Sequence, residues 1–302
     1  RSLKTNGIRI KSFIIDGLIL LKPNRLMARR RRRNRRLRRP VWVIPAFVVI
    51  CVAVAYIMEH HAVAAESRQL SRIDSLERVV TNPDLTEQLI EYKGMIVSFN
   101  ADMHIPNWVS WELTRDEATG VEPRSNAFAP DPCVDGCASL SDYRGSGYDR
   151  GHMAPAGDMK WDPETMRESF LLTNICPQAK SLNSGSWKKL EEKCRIWAQA
   201  DSAVVIVCGP VLTDVPVEYI GAGRVAVPQR FFKVILSPYA DPPRGIGFVM
   251  PNGAVHGGMQ ACAVSIDEVE ALTGHDFFSS LPDDIEDVVE SQCKFNYWST
   301  IR

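Results

Sequence analysis

Residues 148–159, YDRGHMAPAGDM, bring an acid, a cation, a glycine and an imidazole together in Asp149-Arg150-Gly151-His152. Histidine suits general-base work because its ordinary pKa lies near neutrality. The neighbouring Arg150 offers forked donors of the kind that grip phosphate. Two asparagines and a carboxylate follow in order: Asn174 in TNICPQ, Asn183 in LNSGSW, and Glu191 directly after Leu190. On an unbroken helix, Asn183 and Glu191 are separated by ~12 Å of rise and ~80° of rotation. Such a pair serves one hard cation best if the asparagine carbonyl binds directly and the glutamate acts through a water, because Mg²⁺ keeps most of its hydration shell.

The helix that carries these two residues is predicted over 182–200. Trp187, Leu190, Cys194 and Trp197 form one apolar stripe, with Lys188, Lys189, Glu192, Lys193 and Arg195 largely off it. Both tryptophans are therefore expected in the core, not as stacking platforms for bases. The run AVVIV at 203–207 predicts a central strand, and 95–100, 108–113, 230–236 and 246–250 predict others, the first two joined by a turn at 104–107. Ser265-Ile266-Asp267-Glu268 predicts a capping box that opens a helix closed by Gly274, and 281–290 predicts a further helix. Residues 114–148 are rich in Pro, Gly, Asp and Ser and read as a long loop, a length that usually serves function. One α+β domain over 85–298, with a mixed sheet core and flanking helices, accounts for these elements. Leu70, Ile73, Leu76 and Val80 stand at helical spacing within 66–80 and predict a stalk helix ended by Asn82-Pro83. His60, His61, His104, His256 and His275 read as structural or exposed.

With its motifs in this order, the chain resembles the DNA/RNA non-specific endonucleases of the ββα-metal superfamily, relatives of mitochondrial endonuclease G. The resemblance runs from about Leu85 to Trp298 and rests on PNWVSWELT, DRGHMAPAGD, LLTNICPQ, LNSGSWKKLEE and TGHDFFSSLPDDIE. It implies the ββα-metal nuclease fold and hydrolysis of DNA and RNA phosphodiesters to 5′-phosphate and 3′-hydroxyl ends. It assigns His152 as general base and Asn183 as the protein ligand of a catalytic Mg²⁺, with Mn²⁺ as the alternative ion. By the same resemblance Glu191 orients a water on that ion, Asn174 fixes the His152 region, and Arg150 and Arg124 contact the scissile phosphate. A non-catalytic nucleic-acid-binding module on a retained nuclease fold is the alternative. The joint presence of His152, Asn183 and Glu191 counts against it, since binding alone needs no such set.

The neutral balance of 36 basic and 36 acidic side chains in 302 residues hides two opposite segments. Residues 1–40 hold 15 Lys/Arg and the single acid Asp16, whereas 65–302 hold 21 basic and 34 acidic residues. A net-acidic body argues against tight coating of nucleic acid by charge alone. Its cations are uneven: 115–195 hold 11 of those 21, so a polyanion is expected over that half. Residues 41–58 carry no charge, and as a helix of ~27 Å they suffice to cross a hydrocarbon core. The arginine run at 29–39 marks the cytoplasmic side and predicts export of everything after Met58. That run also reads as a nucleic-acid arm or nuclear-localisation patch, a reading outweighed by the apolar segment directly behind it. Retained, the segment is a membrane anchor with 59–84 as linker; cleaved at the A-x-A-like Ala62-Val63-Ala64, it releases a secreted domain. Met27 opens a conventional basic region, which leaves 1–26 as either native or an upstream translation product. Outside Cys51, seven cysteines remain, with Cys133–Cys137 and Cys262–Cys293 as the candidate bridges.

Overall fold

Eleven strands are formed among residues 76–301, the part that this computed structural model describes: β1 (Gln88–Glu91), β2 (Ile96–Asn100), β3 (Ile105–Thr114), β4 (Asp149–His152), β5 (Ile175–Gln178), β6 (Ala203–Pro210), β7 (Glu218–Ile220), β8 (Val225–Val227), β9 (Arg230–Ser237), β10 (Arg244–Pro251) and β11 (Ala263–Val264). Helices α1 (Leu140–Tyr143), α2 (Pro163–Glu168), α3 (Lys188–Asp201), α4 (Ile266–Thr273), α5 (Asp283–Glu290) and α6 (Phe295–Thr300) connect and cover them. The basic segment 1–40, the apolar run 41–58 and the linker up to residue 75 lie outside the described residues. Among the described residues no helix is long and apolar enough to cross a membrane.

The fold is α+β, as expected, but its main sheet is antiparallel throughout and not mixed. Seven strands follow the order β1-β2-β3-β6-β9-β10-β11, and every neighbouring pair is antiparallel. Direct hairpins join β2 to β3 and β9 to β10, and no crossover returns a strand parallel to its neighbour. Both faces of the sheet are covered. On β6, Val204, Ile206 and Cys208 pack on one side with Trp111, Trp187, Trp197 and Trp298, while Val205 and Val207 pack on the other with Trp108, Phe232, Phe277 and Val289. Side chains alternate across a strand, so burial on both faces requires the unbroken apolar run AVVIV. Helices α3 and α6 lie on the first face, where Trp197 Nε1 donates to the Trp298 carbonyl at 2.9 Å. Helices α4 and α5 contribute Ile266, Val269 and Val289 to the second.

Three expectations shift. The β2–β3 turn lies over residues 101–104 and not 104–107, because Asn107 points inward, accepting from Asn100 Nδ2 at 3.0 Å and donating to Ser98 Oγ at 2.9 Å. Pro106 is accommodated within β3 next to a register shift at Ser98/Phe99, where a missing N–H does least harm. The described end of the stalk, residues 76–80, is not helical: Leu76 and Val79 pack on the second face, and Val80 pairs with Asp276. All seven cysteines from Cys133 onward are free thiols, so neither candidate bridge forms. The partners occupy different settings: Cys262 is buried while Cys293 is exposed, and Cys137 Sγ accepts from the Asp131 amide at 3.4 Å.

Candidate active site

Strands β4 and β5 form a separate two-stranded ribbon in which His152 pairs with Ile175 and Asp149 with Gln178. The chain then makes a wide turn, Leu182–Trp187, before α3. Gly185 departs from helical geometry (φ −108°, ψ −112°), so the single straight helix expected over 182–200 is broken near its start. The predicted stripe survives in α3 and the turn, since Trp187, Leu190, Cys194 and Trp197 are all buried. Strand β4, the turn, α3 and the long loop thus bring side chains to one cleft of about 340 Å³, lined by Arg124, His152, Asn183, Lys188, Glu191 and Arg195 among others. A larger cleft of about 520 Å³ is lined by Glu77, Glu91, Lys93, Glu112 and Glu117 among others.

His152 is 7% exposed and lies between two phenylalanines, its ring 5.2 Å from Phe128 and 4.9 Å from Phe170. Each ring carries a guanidinium: Arg150 sits 4.3 Å from the Phe128 centroid, and Arg124 4.9 Å from that of Phe170. Burial, then the charges of Arg124 and Arg150, push the imidazole pKa down to about 3. The ring is therefore neutral at pH 7, the form that accepts a proton. Its Nε2 is buried without a hydrogen-bond partner, and its backbone carbonyl accepts from Trp187 Nε1 at 3.2 Å.

Asn174 does not line the cleft. It is fully buried and bonds both polar groups of Ala154, accepting from its N–H at 2.9 Å and donating to its carbonyl at 2.8 Å, and it donates to the Ser169 carbonyl at 2.8 Å. The segment just after His152 is thereby tied to the loop that carries Phe170. Asn183 Nδ2 donates to Asp149 Oδ2 at 3.0 Å, and among the described residues its side-chain carbonyl oxygen accepts from no protein donor. Glu191 accepts no hydrogen bond among the described residues. Its pKa is pushed up to about 7 by burial and by Asp158, against the lowering effect of Lys233, Arg195 and Arg124. One amide oxygen and one carboxylate in the same cleft are an all-oxygen set that fits a hard divalent cation. Arg150 lies outside this cleft and lines a neighbouring one of about 420 Å³ with Arg144, Tyr148 and Asp149.

Several contributors were missed by the sequence reading. Asp149 was in plain view within the motif, one helix away from its partner. Lys233 is 1% exposed on β9, with Nζ 4.5 Å from the Trp187 ring centroid and 5.0 Å from that of Trp111. Burial pulls its pKa down, and the surrounding Cys208, Cys194, Glu191 and Asp158 push it back above its ordinary value. It stays charged beneath the cleft, and the signal was a lone cation inside the apolar run FFKVIL. Arg195, read only as an off-stripe charge, pairs with buried Asp158 at 2.6 Å, and Trp111 Nε1 donates to the same carboxylate at 3.2 Å. Phe128 belongs to the long loop, where no periodicity marks it.

Comparison with known proteins matches this architecture. Mouse (Mus musculus) Nuclease EXOG, mitochondrial, is 35% identical over 241 residues, 72% of this chain and 66% of that protein. Human (Homo sapiens) Nuclease EXOG, mitochondrial, is 35% identical over 208 residues, 63% of this chain and 56% of that protein. The chain thus spans about two thirds or less of the length of these relatives. Nuclease C1 of Cunninghamella echinulata var. echinulata is 33% identical over 217 residues, covering 66% of this chain and 86% of that one. A solved chain of the EndoG/EndoGI complex superposes with a TM-score of 0.61 at 29% identity, covering 65% of this chain and 88% of that chain. The family profile itself matches residues 74–284, a span that contains the ribbon, the turn, α3 and every residue of the cleft. On its sequence and its fold, the chain belongs to the DNA/RNA non-specific endonuclease family.

Proposed function

We propose that the chain is a divalent-metal-dependent endonuclease that hydrolyses DNA and RNA with little sequence preference, leaving 5′-phosphate and 3′-hydroxyl ends. The observation that carries this reading is the gathering of a neutral His152, three cations, an asparagine and a carboxylate in one cleft. His152 takes a proton from water, the resulting hydroxide attacks phosphorus in line with the departing 3′ oxygen, and that oxygen takes a proton from a second water as the P–O bond breaks, giving the 3′-hydroxyl. Arg124, Lys188 and Arg195 supply the positive field that holds the phosphate. Arg150 with Arg144 extends that field along the adjacent groove. Asn183 and Glu191 hold the cation, Mg²⁺ or in its place Mn²⁺. When bound, the cation offsets charge developing on the phosphate and the leaving oxygen. Asn174 keeps the His152 segment in place through Ala154. Contacts to the phosphate backbone position a substrate without reading its sequence.

Residues 1–58 belong to the same reading as an address, with the apolar run 41–58 delivering the domain across a membrane and anchoring it unless cleaved. Two of the relatives are named mitochondrial, and an Arg-rich, acid-poor leader suits organelle import as well as export. Protease protection of the expressed full chain in isolated mitochondria and at the cell surface separates these routes.

Plasmid nicking by the full chain with Mg²⁺, with EDTA, and by His152→Ala tests the chemistry. We expect metal-dependent cleavage, a fall of ~10²–10⁴ in rate for the variant, and an unchanged gel shift. Retained binding without cleavage in the unmodified chain would make it a binding module instead. Cleavage unaffected by His152→Ala removes His152 as the base.

A further inference from the structure

On the sheet face away from the cleft, three carboxylates from two helices meet. Asp267 and Glu270 stand on α4 and Glu290 ends α5, and one oxygen from each lies within 4.8 Å of the other two. Among the described residues no Lys, Arg or His pairs with any of them. Glu290 is 5% exposed, yet its Oε1 is buried with no hydrogen-bond partner. Glu270 accepts from the Phe277 amide at 2.8 Å through one of its two oxygens. Buried acceptors are almost always satisfied in native proteins, so an acid left bare among acids calls for a positive partner.

We propose that Asp267, Glu270 and Glu290 form a second divalent-cation site, separate from the cleft, that clips α4 to α5 and takes Ca²⁺ in preference to Mg²⁺. Ligand number argues for calcium. Ca²⁺ takes about 6–8 oxygens and accepts several carboxylates at ~2.3–2.6 Å in a flexible shell, whereas Mg²⁺ usually keeps several waters and is held by one or two carboxylates. Asp267 is exposed, so water completes the coordination on that side, as the flexible calcium shell allows. Without a cation the cluster is relieved only by retained protons. Burial and the neighbouring Glu270, Glu286, Asp267 and Asp276 hold Glu290 up to about 9, and Glu270 is raised to about 7 by burial and its acidic neighbours. The two helices pack with Trp108 and Phe232, while the cleft belongs to the face of Trp111 and Trp187. The site does not depend on the nuclease reading.

The test uses the full chain with Asn183→Ala and Glu191→Ala, which removes the oxygen ligands of the cleft, after EDTA treatment. Calorimetry should register one equivalent of Ca²⁺. The thermal midpoint should rise by roughly 5–10 °C once free Ca²⁺ exceeds its Kd about a hundredfold. Adding Glu270→Gln and Glu290→Gln should abolish both signals. Asp267→Asn alone, a change at an exposed position, should weaken binding by about tenfold or more, and it decides the matter if the double glutamine chain does not fold. No calcium signal in the cleft-disabled chain, or one that survives these substitutions, overturns the site. An equal shift with Mg²⁺ at the same concentration overturns the preference.

Discussion

At the scale of single residues, the histidine at the centre of the cleft is held neutral by its surroundings. Unfolded, His152 titrates near its ordinary value; folded, it is held down to about 3. Between those values the unfolded chain binds the extra proton, so its contribution to stability is complete above about pH 6.5 and is lost as pH falls toward 3, by up to ~1.4 kcal/mol per pH unit. Urea unfolding at pH 7 and pH 4.5 should show wild type losing ~2 kcal/mol more than His152→Gln over that interval. Equal losses would mean that the ring protonates in the folded state. Asp149 acts one bond further out. Asp149→Ala releases the Asn183 amide and should raise the Mg²⁺ concentration for half-maximal nicking roughly tenfold, with little change in rate at saturation. That His152, Asn183 and Glu191 line one cleft could be expected from the sequence, because the motif that carries each is local. Phe128, Phe170 and Lys233 were not, because what makes them matter is which element folds back onto them.

At the scale of elements, the capping box at Ser265 shows a local rule holding. Ser265 Oγ accepts from the Glu268 amide at 3.1 Å, Glu268 accepts from the Ser265 amide at 2.7 Å, and Gly274 ends α4 in the left-handed conformation. Ser265→Ala should lower stability by ~1 kcal/mol in denaturant titration. The end of α5 carries the opposite kind of effect. Glu290 keeps its proton in the fold to about pH 9 but loses it near 4.5 when unfolded, so its favourable contribution is present at low pH and fades as pH rises through that window. In cation-free buffer, Glu290→Gln should be more stable than wild type at pH 9 by on the order of 1 kcal/mol, and not at pH 5. Thermal midpoints at the two pH values check this. The stripe of α3 was readable from its period, whereas the opening at Gly185 was not: the same letters fit a straight helix, and the hydrogen bond from Trp187 to the His152 carbonyl joins residues far apart in sequence.

At the scale of the molecule, charge is unevenly distributed along the chain. The cleft face presents Arg124, Lys188 and Arg195, while residues 196–302 hold six basic and 13 acidic side chains. Binding that releases counterions weakens with salt. Cleavage of short duplexes measured from 50 to 200 mM salt should give a steep negative slope of log kcat/KM, and Lys188→Ala should reduce that slope by ~0.9, the share of one phosphate contact. An unchanged slope places Lys188 off the path of the substrate. The antiparallel order of the sheet was hidden from the sequence because strand direction is set by connections that no run of residues records. The two-faced burial of β6 was visible in its apolar letters. The cysteine pairing was wrongly read because spacing in sequence does not record that Cys262 is buried while Cys293 is exposed.

One close contact in the ribbon bears on how such chains change over generations. A Cβ at Gly151 would come within 2.1–2.4 Å of the Gln178 side chain, which is itself fully buried. Gly151 therefore cannot gain a side chain while Gln178 stays in place, although residue 178 can shorten while Gly151 stays. A lineage reaches a larger residue at 151 only through a smaller one at 178, so the order of exchange on the two strands is fixed.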